Sequence, residues 1–185
     1  MTEEELISRA QNGDMQAFSE LISCYSPTVE RFAYQMGNKA DDIEDITQEV
    51  FIRVYRFIHQ FSRSKFSTWL YKITLNVTRD YSRKKQSHIR KLFSLQNERQ
   101  VHSLDSEQHM LRSEEDRVLH ECIQKLDEKY RVPIILFYFH DRKYEEISDI
   151  LTINVSTVKT RLLRGKNLLK KQMKLSAEKE GESIG

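Results

Sequence analysis

Helical periodicity runs through nearly the whole chain with little to interrupt it. Only five glycines and two prolines stand among its 185 residues. That leaves few of the turn-formers a many-stranded sandwich or barrel requires. Apolar residues recur instead at spacings of three and four, which line one face of a helix. The expectation is an all-α chain. At this length, with 38% hydrophobic residues, it can supply one ordinary core or two small ones.

The pattern divides into segments. One helix is expected from about Glu3 to Asn12 and, after a break at Gly13-Asp14, another from Met15 through Ala17, Phe18, Leu21, Ile22 and Tyr25. Pro27 is placed to open a further helix carrying Val29, Phe32, Ala33 and Met36, which stops near Gly37. Asp41 followed by Glu44 reads as a capping box. The stripe behind it is Ile43, Ile46, Val50, Val54, Ile58 and Phe61, widened by Phe51 and Tyr55. At about 100° per residue, its opposite face carries Asp41, Asp45, Gln48, Glu49, Ile52 and Arg56. An isoleucine among acids suits a docking face better than a solvated one. After a polar loop from Phe61 to Phe66 comes a helix with Phe66, Trp69, Leu70, Ile73, Val77 and Tyr81 on one side, capped by Ser64 or Ser67.

Residues 88–113 lose the pattern and read as a flexible linker, with a longer end to the preceding helix as the alternative. Beyond it, Val118, Leu119, Cys122, Ile123 and Leu126 form a stripe. The dense run from Val132 to Phe139 is assigned to a helix, because Pro133 fits a first helical turn and would spoil a central strand. Tyr144, Ile147, Ile150 and Leu151 follow, then a short turn at Thr152-Ile153-Asn154. Asn154 is a suitable cap for a last helix with Val155, Val158, Leu162, Leu169 and Met173 facing inward. The expected organisation is two small helical domains, 1–87 and 114–175, joined by the linker, with a disordered tail at 176–185. The second is a helix-turn-helix domain.

A net charge of +2 conceals strong segregation. Up to Val50 the bases are only Arg9, Arg31 and Lys39, against eleven acids from Glu3 to Glu49. From Arg63 to Lys91, Asp80 is the sole acid among many bases, and from Val155 to Lys174 there is none. Two basic segments interleaved with helical apolar residues point to two contacts with one long polyanion. The acidic segment points to a basic partner or to self-masking.

Several classes are excluded or disfavoured. No apolar run approaches the roughly 18 residues of a membrane span, and the acidic start lacks signal-peptide order. Cys24 and Cys122 read as reduced, packed thiols of a cytoplasmic protein. The six histidines lack paired ligand spacing, no C-x-x-C is present, and no Gly-rich phosphate loop exists. Neither an enzyme, nor a metal, nor a cofactor is expected.

The chemistry is therefore one of binding. In a helix-turn-helix the second helix reads base edges in the major groove. Ser156, Thr157, Thr160 and Arg164 lie opposite the apolar stripe and are the base-edge candidates, Arg164 being able to grip guanine with two hydrogen bonds. Lys159, Arg161 and Lys166 flank them and suit phosphates. The segment Arg63 to Lys85 mixes aromatics with bases, as single-strand binders do. Phe66, Trp69 and Tyr81 fall on its apolar side, so they are assigned to the core.

Asp41-Asp-Ile-Glu-Asp-Ile-Thr-Gln-Glu-Val-Phe-Ile-Arg-Val-Tyr55, Phe66-Ser-Thr-Trp-Leu-Tyr-Lys-Ile73 with Asn76, and Val155-Ser-Thr-Val-Lys-Thr-Arg-Leu-Leu-Arg164 together resemble the extracytoplasmic-function sigma factors. These are the small group-four promoter-specificity subunits of bacterial RNA polymerase. The resemblance spans about Glu5 to Lys174, with the three motifs in order. It implies that the acidic helix grips the β′ clamp coiled coil of core RNA polymerase, with Asp41, Asp45, Gln48, Glu49, Ile52 and Arg56 on the docking face. It implies that the 61–66 loop and the helix after it melt the minus-ten element of promoter DNA and capture a flipped non-template base. The residues available there are Arg63, Ser64, Lys65, Lys72, Asn76, Arg79, Arg83 and Lys84. The helix-turn-helix would read the minus-thirty-five element and touch the β-flap, and the linker would thread toward the RNA exit path. The resemblance also implies a stress-responsive regulator with an anti-sigma partner, often membrane-anchored.

A stand-alone helix-turn-helix regulator is the alternative, and the Asp45/Gln48/Glu49 face tells against it. Two departures stand out. Thr152 occupies a turn position that often holds glycine, and Gly165 is a mild weakness within a helix.

Overall fold

A computed structural model describes residues 2–62, 65–95 and 114–182, with side chains for 2–62, 65–91 and 115–178. Among these residues every regular element is helical. The chain divides into two units, Met1–Tyr34 with Asn38–Ser106 and Gln35–Gly37 with Glu107–Gly185.

The first unit is built from α1 (Glu3–Gln11), α2 (Met15–Gln35), α3 (Ala40–Phe57), a single 3-10 turn (Ile58–Gln60) and α4 (Phe66–Leu95). Thr2 caps α1 through a reciprocal bond pair with Glu5: the Glu5 N–H donates to Thr2 Oγ1 at 3.2 Å, and the Thr2 N–H to Glu5 Oε2 at 2.8 Å. The break at Gly13, where φ is +86°, falls as expected. Asp14 then starts α2 by accepting from the Gln16 and Ala17 amides. Its carboxyl is held below the ordinary range first by the Ala17 amide and then by the hydrogen bond from Arg9.

Two expectations fail here. Pro27 does not open a helix; it lies inside α2, which runs on to Gln35. The ring removes one amide donor, yet buried Leu21 on one side and Val29, Phe32 and Ala33 on the other hold both halves in a single core. Asp41 is not a cap either. Lys39 occupies the cap position of α3 without a side-chain bond, and Asp41 and Asp42 sit in the first turn, where the helix dipole favours them. The α3 stripe of Ile43, Ile46, Val50, Phe51, Val54 and then Ile58 is buried as read. Tyr55, expected to widen it, is 53% exposed although its ring meets Phe18 edge-on at 5.2 Å.

α4 carries a broader inner face than the aliphatic pattern indicates, because Thr68, Thr74 and Thr78 are buried beside Leu70, Tyr71, Leu75 and Val77. Thr74 Oγ1 donates to the Leu70 carbonyl at 2.8 Å and Thr78 Oγ1 to that of Leu75 at 2.9 Å, so neither hydroxyl is lost to burial. The helix continues to Leu95 with no Gly or Pro to stop it, which moves residues 88–95 from the expected linker into helix. Residues 96–113, the rest of that linker, lie outside the described residues.

The second unit comprises α5 (Glu114–Gln124), α6 (Glu128–Tyr138), α7 (Tyr144–Leu151) and α8 (Val155–Glu182). α6 buries Val132, Pro133, Ile134, Ile135 and Leu136 in succession, as a central helix must. Pro133 sits in its second turn rather than its first. α8 buries Val158, Leu162 and Gly165, with Leu169, Gln172 and Ser176 half-buried along the same stripe. Met173 stands one residue off that line and is 42% exposed, against the sequence expectation. Residues 176–182, read as a disordered tail, extend α8. The free Cys122 is buried, whereas Cys24 is exposed rather than packed.

Gly165 is a close approach, not a weakness. A Cβ built there would lie 3.1 Å from Ile134 Cγ1 and 3.3 Å from Tyr130 Cβ, so its absence lets α8 settle onto α6.

Thr152 adopts φ 55° and ψ 48°, the left-handed conformation that the turn demands. A β-branched residue is strained there by about 1–2 kcal/mol. Thr152→Gly removes that strain but adds unfolded-state entropy of roughly 0.5–1 kcal/mol. The expected net result is a melting midpoint raised by about 2–6 °C, measured by circular dichroism. A lowered midpoint would show that the turn holds Thr152 without cost.

Candidate docking and DNA-contact surfaces

The outward face of α3 presents Asp41, Asp45, Gln48 and Arg56 exposed, with Ile52 at 55% exposure. Glu49 is half-buried and engaged: Arg53 Nε donates to its Oε1 at 2.8 Å. Arg53 also donates through Nη1 to Asp80 Oδ2 on α4 at 2.9 Å. The Glu49 bond first, then that of Asp80, holds the Arg53 guanidinium above its ordinary pKa against the opposing effect of burial. Asp42 makes a second bridge to α4, to Lys85 Nζ at 2.5 Å and to the Tyr81 hydroxyl at 3.2 Å. Burial, followed by the Asp42 charge, pushes the Tyr81 phenol up.

Arg53 is the residue that sequence reasoning passed over. Its spacing of four from Glu49 is a helical ion-pair signal. Its partner Asp80, 27 residues away, is visible only in the fold.

The solvent side of α4 brings Lys72, Asn76 and Arg83 onto one face, exposed, with Arg79 half-buried among them and Lys84 exposed beside them. Lys65 is exposed just ahead of the helix. Arg63 and Ser64 lie outside the described residues, and Ser67 is inside α4 rather than capping it. The lone acid of this face, Asp80, is held by Arg53 and stands 4.0 Å from Arg83. Phe66 is buried as expected, but Trp69 and Tyr81 are only half-buried. Phe61 packs against both Phe66 and Trp69, with ring centroids 5.6 Å and 5.1 Å away. Gln11 at the end of α1 donates Nε2 to the Ile58 and Phe61 carbonyls at 2.9 and 2.8 Å. The Ile58 carbonyl also accepts from the Phe61 amide at 3.0 Å, so the Gln11 amide adds a second bond there and ties the 3-10 turn to α1.

In the second unit, α7, the turn 152–154 and α8 form a helix-turn-helix. Ser148 Oγ donates to the Ile153 carbonyl at 2.5 Å and the Ile153 amide to the Ser148 carbonyl at 3.1 Å, closing the turn. Asn154 Oδ1 accepts from the Thr157 amide and the Ser156 hydroxyl, both at 2.8 Å, and caps α8 as read. Ser156, Lys159, Thr160, Arg164 and Lys166 are exposed, Thr157 and Arg161 half-buried. Lys159 Nζ lies 5.5 Å from the centre of the Tyr144 ring.

Residues 21–88 match Sigma-70 region 2, and residues 116–169 match Sigma-70, region 4. The chain is 34% identical over 177 residues to the ECF RNA polymerase sigma factor SigW of Bacillus subtilis (strain 168), across 91% of this chain and 95% of the relative. The chain belongs to the extracytoplasmic-function sigma factors. It is also 29% identical over 178 residues to the ECF RNA polymerase sigma-E factor of Escherichia coli (strain K12), across 91% of this chain and 93% of that one. Among solved structures it is similar to the sigma factor RpoE of Bartonella quintana, crystallised with the anti-sigma factor NepR. That likeness has a TM-score of 0.67 and 22% identity, over 85% of this chain and 96% of that chain. Another is CnrH, solved with the cytosolic domain of CnrY: TM-score 0.70 and 21% identity, over 92% and 96%. At such identities the structural likeness is one of fold.

As an extracytoplasmic-function sigma factor the protein binds core RNA polymerase and promoter DNA and directs promoter-specific initiation. A stand-alone regulator is thereby set aside. No described helix is long and apolar enough to cross a membrane.

Proposed function

We propose that this sigma factor divides its work among three faces. The outward face of α3, with Asp41, Asp45, Gln48, Glu49, Ile52 and Arg56, docks on the β′ clamp of core polymerase. Lys65, Lys72, Asn76, Arg79, Arg83 and Lys84, with Arg63 and Ser64 of the preceding loop, hold the melted minus-ten strand. Ser156, Thr157, Thr160 and Arg164 read the minus-thirty-five element, while Lys159, Arg161 and Lys166 hold its phosphates. The observation that carries this reading is the exposure of charged residues along α3, α4 and α8 on sides opposite their buried stripes.

The protein works by binding rather than by bond-breaking, acts in the cytoplasm, and is controlled by an anti-sigma factor that covers these faces. Support for that control comes from the Bartonella quintana relative, which was crystallised with one. The two domains are carried by 1–87 and 114–175, with α4 and α8 running beyond these bounds to Leu95 and Glu182.

Run-off transcription on genomic fragments with purified core polymerase tests the whole reading. Discrete promoter-dependent transcripts are expected only when the protein is added. Tight DNA binding without any such transcript would overturn it. Arg164→Ala should cost about 1–3 kcal/mol at one upstream base pair if the contact is bidentate to guanine. An equal loss on every template would reassign Arg164 to phosphate.

A further inference from the structure

α8 places an apolar side chain where only polar ones are expected. Leu163 is 63% exposed. The helix rests on the rest of its unit through Val158, Leu162 and Gly165. Leu163 follows Ser156 by seven residues and Thr160 by three, and it precedes Arg164. At about 100° per residue, it lies on the outward face beside Ser156, with Thr160 one turn before it and Asn167 one turn after, both nearer the middle of that face. Those three neighbours are all exposed. The other exposed apolar residues of α8, Leu168, Met173 and Leu175, lie further along the helix and are 40–43% exposed. At about 1.5 Å per residue, Leu163 stands roughly 12 Å from the first residue of α8, in the N-terminal part of the helix, the part that contacts base edges in a helix-turn-helix.

An exposed leucine on a base-reading face has one complementary group in the major groove. Guanine, cytosine and adenine present hydrogen-bonding atoms there, whereas thymine adds a C5-methyl. Removing that methyl and the leucine from water together is favourable, and no other base offers the exchange. Thr160, whose hydroxyl donates to the Ser156 carbonyl at 3.0 Å, has only its single methyl to offer such a group, against the larger apolar side chain of Leu163.

We propose that Leu163 is a specificity-determining residue, which packs against the C5-methyl of one thymine in the upstream promoter element. The proposal rests on α8 being the reader of that element. It adds to the polar contacts of Arg164 an apolar one, which sets a preference for thymine at a neighbouring base pair.

The test uses holoenzyme assembled from the full chain and core polymerase, bound to a promoter fragment obtained from the run-off assay. Each upstream thymine is replaced in turn by deoxyuridine, which removes the methyl and leaves every hydrogen bond. One position should lose about three- to fivefold in binding. Leu163→Ser should bind the thymine template more weakly and no longer distinguish thymine from uracil there. Leu163→Met should retain the discrimination. A side chain this exposed can be changed without loss of fold, and thermal denaturation of each variant checks it.

Arg164→Ala on the same fragment separates the two levels. If it weakens binding while no deoxyuridine substitution does, α8 is the reader and the Leu163 proposal is wrong. If neither has an effect, the reader assignment has failed as well. Thymine discrimination that survives in Leu163→Ser would also overturn the proposal. So would a defect of Leu163→Ser confined to polymerase association, which would assign the residue to a protein contact.

Discussion

Core polymerase should no longer co-purify with a protein carrying Asp45→Lys and Glu49→Lys, while both units keep their helical content and melting behaviour. Truncating one partner of a desolvated charge pair costs about 2–5 kcal/mol, and reversing a charge adds repulsion. Two reversals on one face should therefore weaken association by more than about a hundredfold. The fold tolerates the change because Asp45 is exposed. Glu49 is less free. Its replacement by lysine sets two cations four residues apart, a penalty of roughly 0.2–0.5 kcal/mol, but Arg53 keeps Asp80. The milder pair Asp45→Asn and Glu49→Gln should retain part of the affinity. Unchanged co-purification of the lysine variant would remove α3 as the docking element.

Gly165→Leu should unfold the second unit selectively. The first added carbon meets Ile134, itself 1% exposed, at 3.1 Å, and the remaining three have to force α6 and α8 apart. Overpacking costs typically 1–3 kcal/mol and occasionally more. In a unit of this size the whole stability is about 3–5 kcal/mol, so a loss of about 3 kcal/mol consumes most of it. Limited proteolysis should then cleave within the second unit and spare the first. Gly165→Ala should lie near neutral, since roughly 1 kcal/mol of helix propensity opposes the close contact. A Leu variant as resistant as the parent would mean that α8 can shift along α6.

These predictions draw on different levels of information. The docking face was legible because a helix of known period turns a list of residues into a wheel. Ile43, Ile46, Val50 and Val54 fall inward, so Asp45 and Gln48 fall outward without further knowledge. Thr152 was legible in another way: it stands at a turn position that often holds glycine, and it adopts the left-handed conformation that glycine favours. Tyr55 and Met173 were misplaced because each stands at the edge of its stripe, where the wheel does not say how wide the buried band is. Pro27 misled because local punctuation normally ends a helix, whereas here burial on both sides outweighs one missing amide.

The order of residues alone determined that the chain is helical, most of the inward stripes, the segregation of charge and the short turn before α8, all of which depend on periodicity or near neighbours. Tertiary structure alone decided that Arg53 joins Glu49 to Asp80, that Gln11 closes the turn after α3, and that Gly165 admits Ile134. Each depends on groups brought within a few ångströms from distant parts of the chain, and helical period carries no information about which helices will lie side by side.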